Sequence, residues 1–165
     1  MSGKEYESNL SATTDRAGKY LTFGLAKEDY GLEILKVREI IGMMDITPVP
    51  LTPEYFRGVI NLRGKVIPVV DLRMKFGMES IEQTPNTCII VVDVSGVEMG
   101  VVVDRVSEVL DIVSEDIEDA PSFGADVDTE YIRGIGKTGG RVTILLDIDG
   151  VISSEEIEAI SGKVN

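Results

Sequence analysis

The chain has 165 residues, with 16 basic and 29 acidic side chains, a formal net charge of −13, no histidine, no tryptophan and one cysteine, Cys88. The acidic balance argues against a phosphate-binding surface and so against nucleic acid as a partner. The missing histidine excludes Ser-His-Asp and Cys-His nucleophiles and imidazole ligands, and a single thiol excludes an internal disulfide or a Cys-rich zinc site.

Residues 1–17 are polar and read as a flexible tail. No run approaches the ~18 apolar residues that span a bilayer, so a cytoplasmic protein with no membrane insertion is expected. From Lys19 onward, short runs rich in Val, Ile, Thr and Tyr alternate with Gly and Pro. The pattern predicts strands at Tyr20–Leu25, Gly31–Ile34, Val37–Met43, Gly58–Leu62, Lys65–Asp71, Thr87–Val94, Gly100–Val103, Val106–Leu110 and Arg141–Asp147. Residues 34–41 also fit helical spacing. Thr52-Pro53-Glu54 predicts a short helix before Gly58, Leu72–Phe76 a single turn, and the capping box Ser153-x-x-Glu156 a C-terminal helix over 154–160. Many short strands with close turns indicate an all-β fold.

A repeat runs through this pattern. A shift of 76 residues aligns Arg57–Leu72 with Arg133–Ile148 without a gap, and five of the 16 pairs are identical, among them Gly64/Gly140 and Asp71/Asp147. A shift of 69 aligns Tyr30–Ile41 with Met99–Leu110, keeping Gly31/Gly100, Val37/Val106 and Glu39/Glu108. The seven extra residues of the second copy fall in the acidic stretch between Asp111 and Glu130. The chain reads as two copies of one small β unit sharing a core.

Two phosphate-binding patterns fail on context, and one of them, Gly136-Lys137-Thr138, has Tyr131 where a phosphate loop needs its first glycine. Gly134-x-Gly136-x-x-Gly139 is followed by the strand-like Arg141–Leu146 where a helix is required, so it reads as a glycine-rich hairpin. Asp147-x-Asp149-Gly150 lacks calcium-loop spacing, and Ser114–Asp119 reads as an exposed acidic loop. No catalytic residue, cofactor site or metal site is expected; a small hydrolase using an Asp/Glu pair is the enzymatic alternative.

The segment Gly58–Leu72 stands out as two apolar strands around a tight turn at Arg63-Gly64. Pro68 cannot donate to a ladder and predicts an open edge or a bulge. The turn in the second copy carries Lys137-Thr138-Gly139 where the first has Asn61-Leu62-Arg63, so these residues are not required to build it. Arg63 suits bidentate contact with a carboxylate or carbonyls of a partner, or pairs with a local acid; the residues alone leave both open.

Ile46-Thr47-Pro48-Val49-Pro50, Pro53–Gly64 and Val66–Leu72, with Tyr30-Gly31, Ile34–Ile40, Gly100–Val106 and Tyr131–Gly136, resemble the CheW-type chemotaxis coupling proteins over about residues 19–160. The resemblance implies two SH3-like β-barrel lobes around a common hydrophobic core, within one domain over 18–160. The lobes would span roughly 18–83 and 84–152, with strands exchanged between them, and a C-terminal helix would follow at 154–160. It implies a non-catalytic adaptor, monomeric when free, that joins the regulatory domain of a CheA-type histidine kinase to the cytoplasmic tip of methyl-accepting chemoreceptors and is recruited to membrane-bound arrays. A same-fold adaptor for a non-chemotactic kinase is the nearest alternative.

Carried over by position, Val37, Glu39, Gly58 and the turn Asn61-Leu62-Arg63-Gly64 match the family's partner-binding region. Val103, Val106 and Gly134 match second-barrel positions at the receptor groove or its support. Each has a structural alternative: the valines as core, the glycines as backbone necessities, and Arg63 and Glu39 as each other's ion-pair partner.

Overall fold

Antiparallel hairpins account for most of residues 16–120 and 131–164, the parts of the chain that the structure, a computed structural model, describes. The expected tail up to residue 15 and the middle of the acidic stretch, 121–130, lie outside the described residues. Strands β1 (Gly18–Leu25) and β2 (Glu28–Glu33) form the first hairpin, and a 3-10 turn over Ile34–Lys36 leads into β3 (Val37–Gly42). The second hairpin is β4 (Phe56–Leu62) with β5 (Lys65–Asp71), followed by helix α1 (Leu72–Lys75). The third is β6 (Cys88–Val94) with β7 (Val97–Val103), then β8 (Arg105–Ile112), a 3-10 turn over Ser114–Asp116 and β9 (Ile117–Glu118). The fourth is β10 (Ile132–Thr138) with β11 (Arg141–Leu146), followed by α2 (Ile148–Val151) and α3 (Ser154–Val164).

These strands build two sheets, each an SH3-like barrel, in the orders β8-β1-β2-β11-β10-β9 and β3-β6-β7-β5-β4. The repeats are interleaved. Hairpin β1–β2 of the first copy sits between β8 and β11 of the second, and hairpin β6–β7 of the second sits between β3 and β5 of the first. The two parallel pairings are equivalent: Leu145 faces Gly31, and Val69 faces Gly100. Shifts of 76 and 69 residues interconvert them, so the repeat read from the sequence is a structural one.

Strands β1, β5, β6 and β7 present two apolar faces. One faces the space between the sheets, where Leu21, Phe23, Leu32, Val70, Val101 and Leu146 form the shared core. Phe23, Tyr30, Phe76 and Tyr131 stack through that core with ring centroids 5.8, 5.9 and 5.4 Å apart. The other face fills the barrels: Ile60, Ile67, Val69, Ile89, Val91 and Val102 in the five-stranded one, and Tyr20, Ile112, Ile117 and Leu145 in the six-stranded one. Full burial of each such side chain contributes about 1.5–3 kcal/mol, which is why two units too small to be stable alone are stable together.

Three local expectations need correction. Residues 52–55 make only a turn, closed by Phe56 N–H to Pro53 O at 3.0 Å, because β4 begins at Phe56 and leaves no length for a helix. Pro68 lies on an interior strand, between β4 and β7, rather than on an edge. It is tolerated because Val59 opposite turns its N–H and C=O away to Thr47, at 2.9 and 2.8 Å, and pairing with β7 starts only at Val69. Ile117 in the acidic loop is buried on the short strand β9. The glycine-rich stretch is the arm β10 and the turn of hairpin β10–β11, in keeping with the hairpin reading, although the strand pattern did not mark 132–138. Residues 34–41 divide into a 3-10 turn and β3, in keeping with the strand reading from Val37 onward.

Candidate functional site

Strands β3 and β4 are the two edges of the five-stranded sheet, and the β4–β5 turn brings them together at one barrel end. Leu62 pairs with Lys65, leaving Arg63 (φ 54°) and Gly64 (φ 87°) as a two-residue turn with both central residues left-handed. Asn61 Oδ1 accepts the Gly64 N–H at 2.8 Å and fixes that turn. Leu62 packs against the barrel interior. The Arg63 guanidinium donates to Glu39 Oε1 on β3, and Lys65 Nζ lies 3.3 Å from Glu98 Oε1 on β7. Of the expected site residues, Glu39, Asn61, Leu62, Arg63 and Gly64 therefore meet at one place.

The repeat shows what this turn costs. In the second copy the same positions are Gly139 (φ 56°) and Gly140 (φ 77°), which adopt left-handed backbone without penalty. An arginine there costs about 1 kcal/mol, and its exposed ion pair with Glu39 returns no more than that. The backbone alone gives no reason for Arg63 where glycine serves. The ion pair is the alternative noted from the sequence, and in the free protein both side chains use it.

The remaining expected residues sit elsewhere. Val103 is in the shared core, while Val37 and Val106 pack against its margin and stay partly exposed. Gly58 and Gly134 are buried where a second strand crosses close by. A methyl group on Gly58 would come within 2.1 Å of the Thr47 carbonyl oxygen, and one on Gly134 within 2.7 Å of Ile117 Cγ2. At Gly58 the segment around Thr47 covers the edge of β4; at Gly134 strand β9 covers β10 in the same manner. Both glycines are close-approach positions of the fold.

A second polar cluster ties α3 to the first copy. The capping box forms as predicted: Ser153 Oγ accepts the Glu156 N–H at 3.1 Å, and Glu156 Oε1 accepts the Ser153 N–H at 3.2 Å. Glu156 Oε2 then accepts from the Tyr55 hydroxyl and from Lys75 Nζ, the latter at 2.5 Å, while Lys75 also sits 4.5 Å above the Tyr55 ring. Burial pushes the Glu156 carboxyl up, but the hydrogen bonds from Lys75, Tyr55 and the Ser153 N–H outweigh it and lower its pKa to about 2. Burial and the same bond to Glu156 raise the Tyr55 hydroxyl above its ordinary value. Sequence reading found the capping box but not Tyr55 or Lys75, whose positions depend on how the copies dock.

At the barrel end the carboxylates of Glu39 and Glu98 are both taken up by basic side chains, an arrangement suited to contact rather than to proton transfer.

The family model "CheW-like domain" matches residues 19–156. Chemotaxis protein CheW of Klebsiella aerogenes is 41% identical over 160 residues, covering 97% of this chain and 96% of that protein. Chemotaxis protein CheW of Rhizobium meliloti is 37% identical over 146 residues, covering 88% and 94%. The crystal structure of the scaffolding protein TtCheW from Thermoanaerobacter tengcongensis matches with a TM-score of 0.77 at 37% identity, covering 85% of this chain and 95% of that one.

Proposed function

Since this chain belongs to the CheW-like domain family, we propose that it is the adaptor that joins methyl-accepting chemoreceptors to a CheA-type histidine kinase. Its relatives are chemotaxis proteins and its structural counterpart is a scaffolding protein, so its own role is that of a non-catalytic scaffold in chemotaxis signalling. Among the described residues no helix is long and apolar enough to cross a membrane, and recruitment to a receptor array would come through its partners.

The observation that carries the reading is Arg63, held in a left-handed turn where the other copy uses glycine. A residue kept at a backbone cost is kept for its side chain. In the proposed role the barrel end with Glu39, Asn61, Leu62, Arg63 and Gly64 meets the kinase regulatory domain. The receptor tip, a helical hairpin, lies against the apolar margin of the shared core at Val37 and Val106, with Val103 supporting it from within. Gly58 and Gly134 act through the backbone, and residues 18–160 work as one unit. The adaptor then biases kinase activity only by as much as its contacts differ between the receptor's states.

The test is to mix the full chain with a receptor cytoplasmic fragment and the kinase, and to measure complex formation and autophosphorylation. Co-sedimentation of all three with a changed autophosphorylation rate is expected. A chain that neither co-assembles nor alters the rate is not this adaptor.

A further inference from the structure

The chain passes from one barrel to the other at Ile34–Lys36, between β2 and β3, and at Asp104, between β7 and β8. Each crossing is pinned through one carboxylate. Asp104 takes Arg73 of α1 in a forked bond, from Nε at 2.7 Å and Nη2 at 2.6 Å, and accepts the Ala26 N–H of the β1–β2 turn at 2.7 Å. At the other crossing Asp149 of α2 takes Lys36 Nζ at 2.9 Å and accepts the Ser95 N–H of the β6–β7 turn at 3.0 Å. Each carboxylate thus joins a crossing, a short helix and a hairpin turn, and these three elements come from both barrels.

The repeat makes the two junctions equivalent, and their charges are reversed. A shift of 69 carries Ala26 (φ 55°) onto Ser95 (φ 51°), Leu35 onto Asp104 and Lys36 onto Arg105. A shift of 76 carries Arg73 onto Asp149. In one junction the acid is on the crossing and the base on the helix; in the other the base is on the crossing and the acid on the helix. The two halves share the contact but not the residues that make it, so it is the contact that the fold requires. The first junction is the drier, with the Arg73 and Asp104 side chains 14% and 16% exposed against 35% for both Lys36 and Asp149. Burial pushes the Asp104 carboxyl up, but the bonds from Arg73 and the Ala26 N–H outweigh it and hold it below the usual carboxylate value.

Both junctions lead straight into the margin of the shared core. Val37 follows Lys36 directly and lies opposite Val92, while Val106 comes two residues after Asp104 and lies opposite Phe23. Apolar packing between the two sheets is non-directional and leaves their mutual angle soft. A forked, charge-assisted bond fixes an angle. We propose that Asp104 and Asp149 are positioning residues: with Arg73 and Lys36 they lock the angle between the barrels, and so the spacing of Val37 and Val106, before a partner arrives. The proposal rests on the reading of these two valines as the place where the receptor's helical hairpin lies. A helix presents its side chains at fixed intervals, so two walls free to rotate would have to be ordered during binding, and walls already locked avoid that cost.

The test reads the angle and the affinity separately in the full chain. Residual dipolar couplings of the backbone amides give the mutual orientation of the two sheets in the free protein, and titration with a receptor cytoplasmic fragment gives binding per folded molecule. Asp104→Leu places at this crossing the residue that stands at position 35 of the other. It is expected to leave the couplings within each sheet intact, to break their fit to one common orientation, and to weaken receptor binding about tenfold. Adding Arg73→Asp rebuilds the other junction's arrangement, with Arg105, whose Nη1 already reaches Ala26 O at 2.9 Å, as the base on the crossing. This double variant should recover both the common orientation and the affinity, a rescue that a general loss of stability would not show. If Asp104→Leu fails to fold, Lys36→Met at the more exposed junction carries the test, with a smaller change in the same direction. A variant whose sheets keep the parent orientation, or whose orientation shifts while receptor affinity stays the same, would overturn the proposal. A parent chain that binds no receptor fragment overturns the adaptor reading instead, and the couplings of the free chain then show whether the junctions set the angle.

Discussion

Arg63 reaches from the tip of the β4–β5 hairpin to Glu39 on β3, joining the two edges of a five-stranded sheet across a gap that no backbone ladder closes. The ion pair is exposed, with 69% of the arginine side chain and 32% of the glutamate side chain open to solvent. Its value lies in position more than in stability.

Replacing Arg63 with glycine removes the left-handed penalty and the ion pair together. Arg63→Gly is expected to leave unfolding free energy within about 1 kcal/mol of the parent, while lowering affinity for the kinase regulatory domain. Urea denaturation and calorimetric titration check the two halves. Glu39→Ala should give the same split, and loss of stability in step with binding would assign the pair to the fold alone.

The three glycines separate by mechanism. Gly58→Ala and Gly134→Ala drive a methyl group into neighbouring atoms and are expected to cost about 3 kcal/mol or more each, with Gly58 worse because it meets backbone oxygen. Gly64→Ala meets nothing within 4 Å and should cost only about 1 kcal/mol, from its positive φ. Denaturant midpoints rank them. A partner-binding defect in Gly58→Ala should then track the unfolded fraction.

Acid should loosen the docking of α3. Glu156 has its carboxyl lowered to about 2 in the folded chain, below its unfolded value near 4.5. Its contribution is therefore complete above the unfolded value and is lost as pH falls from about 4.5 toward 2. The linkage is on the order of 3 kcal/mol. Tyr55 is raised, so its contribution is complete below its unfolded value of 10.0 and fades at higher pH. Glu156→Gln should flatten the acid limb of a stability–pH profile, and an unchanged limb would show that other carboxylates govern it.

Interleaving predicts that neither half folds alone. A chain cut between Glu82 and Gln83, in an exposed connection, should give fragments that lack sheet structure separately and regain it when mixed. Circular dichroism of each half and of the mixture decides this; a half that folds alone would mean that one copy is self-sufficient.

Local signals in the sequence identified most strands, both α3 and its capping box, and the repeat, because each rests on periodicity, turn chemistry or residue identity at fixed spacing. They missed β10, whose glycines weaken strand propensity but serve the close approach of β9 and the room needed beside Ile112. They predicted an open edge or a bulge at Pro68 because Val59's outward bonding to Thr47 is a long-range fact. The barrel-end residues were legible as a set, since Asn61–Gly64 are contiguous. The sequence offered the valines as core and Glu39 with Arg63 as an ion pair only as alternatives; that Val103 lies within the shared core, Val37 at its margin, and Glu39 against Arg63 depended on which strands exchange partners.

That exchange also sets a clock during synthesis. Strand β2 acquires its parallel neighbour only when Leu145 arrives opposite Gly31, more than a hundred residues later. At ~5–20 residues per second the delay is on the order of ten seconds. Through that interval the first hairpin to leave the ribosome keeps an apolar flank uncovered, so the emerging chain needs shielding before it needs partners.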